Sequence, residues 1–181
     1  MRTDNPYICS PALRTWRHRI LLILLLAMGG FAGSAHAQTG NVCGTPIVVS
    51  AFPFSHTAIT SDYGNDYTLS DVPPVAPGAI TNGTGSTSYM TGFEVVYAIT
   101  PVVDQGVSIS MTNDAGWAAL WAFTGCPFTS TVGYHTSTTG TTRSIPGLTL
   151  TGGTTYYIVV SNWDPPGMNY TLNITQDWIS A

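Results

Sequence analysis

Residues 93–99 read Phe-Glu-Val-Val-Tyr-Ala-Ile, with Phe93, Val95, Tyr97 and Ile99 alternating with Glu94, Val96 and Ala98. A period of two is the mark of a β-strand, because successive side chains point to opposite faces. The same period recurs at Val107, Ile109 and Met111 against Ser108, Ser110 and Thr112, and at Tyr170, Leu172 and Ile174 against Thr171, Asn173 and Thr175. Pro46–Ser50 is a β-branched run suited to a first strand. Ala118–Thr124 and Thr154–Ser161 are apolar on both sides of the alternation, which predicts central strands covered on both faces. In the second of these, Tyr156, Ile158 and Val160 point one way and Tyr157, Val159 and Ser161 the other. Gly152-Gly153 supplies the turn before it, and residues 162–167 (Asn-Trp-Asp-Pro-Pro-Gly) the turn after. The segment 72–88 is rich in Pro, Gly, Ser and Thr and is expected to be a long loop. No segment after residue 37 holds a 3.6 period. Seven or more short strands joined by such turns predict an all-β fold, an antiparallel, jelly-roll-like β-sandwich.

The first 37 residues follow different rules. Arg14, Arg17 and Arg19 precede the apolar run Ile20–Met28, and Ala35-His-Ala37 follows. That order is the one a signal peptidase reads, so cleavage after Ala37 and export, to the periplasm or beyond the cell, are expected. Gly29, Gly30 and Gly33 interrupt the run before the roughly 20 apolar residues of a bilayer span, so no stable membrane anchor is expected. The mature chain is then residues 38–181, one domain with its core about 43–175.

Removing that segment changes the charge. Residues 1–37 hold four of the five arginines against Asp4, so the remainder carries a formal −7 where the whole chain carries −4. Arg143 is its single basic side chain beside two histidines, and there is no lysine. Nucleic-acid binding needs clustered cations to displace counterions, and it is excluded on that ground.

Four groups of residues carry the candidate chemistry. Cys43 and Cys126 are the two cysteines left after processing, and in an oxidising compartment they are expected to form one disulfide. Asp62, Asp66 and Asp71 fall in one Gly- and Asn-bearing stretch, the ligand type that calcium takes, although the spacing fits no EF-hand. Trp117 and Trp163 sit among turn formers, and with Tyr63 and Tyr67 they are candidate exposed rings for stacking on a ligand. Trp121 and Tyr97 are expected in the core. His56 and His135 lie in no metal-ligand spacing, and no Gly-x-Ser-x-Gly elbow is present, so no catalytic residue is assigned and the chain is read as a non-enzyme.

The order of segments also carries a resemblance. "CGTPIVVS", "GFEVVYAITP", "GVSISMT", "ALWAFTGCP", "TLTGGTTYYIVV" and "MNYTLNIT" follow one another over Cys43 to Thr175. The chain thereby resembles the bacterial pre-peptidase C-terminal domain, with Glu94 where that family more often shows Asp. The resemblance implies a β-sandwich and an accessory or binding role, not proteolysis. Two readings stay open at this level. One is a secreted module that recognises an extracellular glycan or protein surface through exposed aromatics. The other is a structural or adhesive extracellular protein with no discrete ligand site.

Overall fold

The computed structural model describes residues 38–163 and 166–180. The expected export signal lies outside those residues. The described chain builds ten strands in two sheets. They are β1 (Ile47–Val48), β2 (Phe54–Ile59), β3 (Val75–Asn82), β4 (Glu94–Ile99) and β5 (Gln105–Asn113). Then follow β6 (Ala118–Thr124), β7 (Ser130–Ser137), β8 (Thr142–Leu150), β9 (Tyr156–Asn162) and β10 (Asn169–Ile179). The larger sheet has the order β1-β4-β9-β6-β7-β3 and the smaller β2-β10-β5-β8. The fold is a two-sheet β-sandwich, as the period-two segments imply.

The alternation decides what faces inward. Val95, Tyr97 and Ile99 of β4 and Ile158 and Val160 of β9 meet Ile109 and Met111 of β5 and Leu172 and Ile174 of β10 between the sheets. At roughly 1.5–3 kcal/mol for each large apolar side chain removed from water, this layer dominates the stability. One polar chain crosses it. The Tyr97 hydroxyl lies 2.5 Å from that of Tyr170 and 2.7 Å from Nδ1 of His56.

The opposite face of the larger sheet is covered as well. Val96, Ala119, Trp121, Phe123 and Val159 form a second cluster with Tyr89 and Met90, roofed by Tyr67, Phe128 and Cys43. This explains why β6 and β9 are apolar on both sides, and it confirms Trp121 and Tyr97 as core residues, 1% and 0% exposed. Disulfide-bonded Cys43 and Cys126 tie the start of the described chain to the β6–β7 turn beside that roof.

Two expectations are corrected. The segment 72–88 is not all loop, because Val75–Asn82 forms β3 at the edge of the larger sheet. Pro77 is tolerated there because an edge strand can leave one side unpaired. The sandwich is also not purely antiparallel: β1 runs parallel to β4 and β3 parallel to β7, both at sheet edges.

Candidate functional site

Trp117 immediately precedes β6, and Trp163 immediately follows β9. These strands are antiparallel neighbours with Ala118 opposite Asn162, so the two tryptophans leave the sheet at the same end. The Trp163 N–H donates to the Trp117 carbonyl at 3.0 Å. Their rings meet edge to face, centroids 4.9 Å apart at 81°. Tyr89 backs them, 5.9 Å from Trp163 and 6.5 Å from Trp117. Tyr89 is 2% exposed, whereas Trp117 and Trp163 are 49% and 40% exposed. Such edge-to-face pairs follow the ring quadrupoles and hold large apolar faces rigidly.

The pair lines a cleft of about 650 Å³, together with Asp114, Ala115, Gly116, Asn162, Pro166 and Gly167. Its polar groups are held in place. The Asp114 carboxylate accepts from the Asn169 backbone N–H at 2.9 Å and from its Nδ2 at 2.5 Å. Asn162 Oδ1 accepts from the Thr60 hydroxyl at 2.9 Å, and its Nδ2 donates to the Pro166 carbonyl at 3.4 Å. That hydroxyl in turn accepts from the Met168 N–H at 2.9 Å. Gly167 has to be glycine here, because a Cβ would fall 2.6 Å from the Ser61 backbone nitrogen.

Beneath the cleft lies Arg143, 0% exposed. Its guanidinium donates to the carbonyls of Ala118 (3.0 Å), Gly140 (3.2 Å), Thr142 (3.0 Å), Ser137 (3.0 Å) and Gly116. Burial lowers its pKa, opposed by nearby Tyr89, yet a guanidinium stays charged at any ordinary pH. Two of its acceptors flank Trp117, so this clamp shapes the loop that presents the ring. Among the described residues, the cleft thus presents two indole faces and one anchored carboxylate, and no lysine or arginine.

The other candidates do not converge on it. Tyr67 stacks on Phe128 at 4.9 Å, and its hydroxyl accepts from the Cys43 N–H at 2.7 Å. Tyr63 is half-buried and packs against the inter-sheet core. Both are absent from the cleft lining, because their segment folds across the sheet faces. The three aspartates proposed for calcium do not gather either. Asp71 closes a capping box with Thr68, its Oδ2 accepting from the Thr68 N–H at 2.7 Å. Asp62 sits exposed in a separate 3-10 turn, Thr60–Asp62. Among the described residues, no group of three or more His, Cys, Asp or Glu side chains is placed to hold a metal ion. His56 bonds Tyr97, and His135 accepts from the Ser144 N–H at 2.9 Å, so both serve packing.

Glu94 is the acidic residue that the pattern missed. Alternation sets it on the face away from the inter-sheet core, which suggests solvent, yet it is fully buried under the 60–72 segment. Its Oε2 accepts from the Asp66 N–H at 3.2 Å, while Oε1 has no partner. Desolvation, with Asp66 and Asp71 nearby, pushes its pKa up to about 8 from 4.5. The native state therefore keeps a proton that the unfolded chain releases, and stability falls as pH rises from about 4.5 to about 8. The Glu94→Gln variant should lose that slope and gain a few kcal/mol over the parent at the alkaline end, which thermal melts across pH will measure. The histidines act in the opposite sense. Burial lowers both pKa values, so stability is lost as pH falls from 6.5 through the depressed values.

Fold and site together define an all-β sandwich carrying an aromatic cleft at one end. No protein-family model matches the chain, and no curated protein matches it. Among solved structures it is similar to the pre-peptidase C-terminal domain of collagenase from Bacillus anthracis. The two are 11% identical over 72% of this chain and 94% of that one, with a TM-score of 0.46.

Proposed function

We propose that this chain is a secreted, non-catalytic binding module that holds a neutral glycan in the Trp117–Trp163 cleft. The observation that carries the reading is the pair of half-exposed indoles, 4.9 Å apart, beside Asp114 and Asn162. Flat apolar faces stack on the C–H faces of a sugar ring, and the exposed Asp114 carboxylate at their edge bonds its hydroxyls. The charge pattern favours a neutral ligand. An anionic polymer would need exposed cations, and the one arginine of the described residues is buried. The size of the cleft fits a small saccharide unit within the usual range for ligand pockets. A disulfide between Cys43 and Cys126 suits an oxidising, extracytoplasmic setting.

The Trp163→Ala variant is expected to weaken retention on a neutral polysaccharide by about 1–3 kcal/mol while keeping the fold. Affinity electrophoresis in gels containing xylan, glycol chitin, hydroxyethyl cellulose or mixed-linkage β-glucan measures the first, and the melting temperature the second. Trp121→Ala provides the contrast, since truncating a buried tryptophan costs about 3–5 kcal/mol of stability. Unaltered retention of Trp163→Ala on every polymer that the parent binds would remove the reading.

A further inference from the structure

We infer that the cleft is one end of a longer groove, which passes Asp114 onto the outer face of the smaller sheet and receives successive units of a neutral polysaccharide chain. This rests on the reading that the cleft holds a sugar. A second, shallower depression of about 310 Å³ is lined by Thr57, Thr112, Asn113, Asp114, Asn169 and Thr171, among others. Asp114 lines both depressions. Its carboxylate is bonded twice by Asn169, which belongs to the second, so one hydrogen-bonded pair forms the saddle between them.

The strand register explains why the surface beyond the saddle has a uniform chemistry. Thr57, Thr171, Thr112 and Thr142 stand opposite one another in one row across β2, β10, β5 and β8. Ser55, Asn173, Ser110 and Ser144 form the next row. Strands are spaced about 4.8 Å apart, and the two rows about 6.8 Å along them. These eight side chains are all uncharged, and all offer both hydrogen-bond donors and acceptors, as a sugar hydroxyl does. The aromatic cleft then grips one unit by stacking, and the hydroxyl rows bond the units that follow.

The test is a chain-length series. Glucose, N-acetylglucosamine and xylose oligomers of two to six units are titrated calorimetrically against the parent, Trp163→Ala, and the paired variant Thr112→Val with Thr171→Val. Valine keeps the shape and strand preference of threonine, and circular dichroism checks that the fold is retained. The affinity of the parent should rise about tenfold from the shortest to the longest oligomers of the sugar it binds, the equivalent of one or two net hydrogen bonds. The paired variant should lose most of that rise. An affinity independent of length, or an unchanged rise in the threonine variant, overturns the groove and leaves the cleft reading intact. Failure of the parent to bind any oligomer, or the polymers themselves, overturns the cleft reading and the groove with it.

Discussion

Arg143→Ala is expected to destabilise the domain by about 3–5 kcal/mol, the range for removing one partner from a buried charged network. The guanidinium is fully buried, and among the described residues no carboxylate is hydrogen-bonded to it. Backbone carbonyls compensate the charge instead, drawn from Gly116 and Ala118 at the start of β6 and from Ser137, Gly140 and Thr142 around the β7–β8 turn. Truncation strands those carbonyls away from water and opens a cavity at the same time. Arg143→Lys should recover little, because an ammonium on a flexible stem cannot present the planar fork that meets acceptors on two sides. Urea unfolding gives the magnitude. Tryptophan fluorescence should also show the Trp117 loop loosened, since Gly116 and Ala118 lose their anchor together. A loss below about 1 kcal/mol for Arg143→Ala would contradict the clamp.

Cys126→Ala has the next largest expected effect, a loss of about 2–5 kcal/mol. The bridge spans 83 residues, and the chain-entropy relation gives about 4.5 kcal/mol for a loop of that size. It also fastens the roof over the second cluster, where Phe128 stacks on Phe123 at 4.5 Å and on Tyr67 at 4.9 Å. Chemical denaturation of the variant and of reduced parent protein should agree. Peptide mapping without reductant should recover Cys43 and Cys126 joined, and two free thiols would refute the pairing.

Much of the sandwich was legible because the strands that build its centre obey the alternation. In β9, the division of Tyr156, Ile158 and Val160 from Tyr157 and Val159 corresponds to the two apolar layers of the fold. What escaped is β2 at the edge of the smaller sheet and, more fully, one side of the larger sheet. β3 contains Pro77 and Gly78, and β7 reads Ser-Thr-Val-Gly-Tyr-His-Thr-Ser, with few large apolar residues to mark it. Strands there are held by backbone pairing and partial burial, which leave a weak side-chain pattern.

The cleft was legible in part. Trp117 and Trp163 each sit beside a turn in the sequence, but their contact depends on the register of β6 against β9, a non-local fact. Tyr63 and Tyr67 have the same local composition and a different fate, since loop packing, not neighbours in sequence, decides exposure. Glu94 and Arg143 escaped for a related reason. A lone charge in a strand normally marks solvent, and only the segments folded over these two bury them.

The most direct test of the cleft is to follow the indole N–H resonances of the protein while a neutral polysaccharide that it retains is added. The signals of Trp117 and Trp163 should move together and saturably. That of Trp121, bonded to the Ser161 hydroxyl at 3.0 Å and 1% exposed, should stay in place. Unmoved signals from Trp117 and Trp163, with retention intact or with a shift only in Trp178, the exposed tryptophan near the end of β10, would contradict the account.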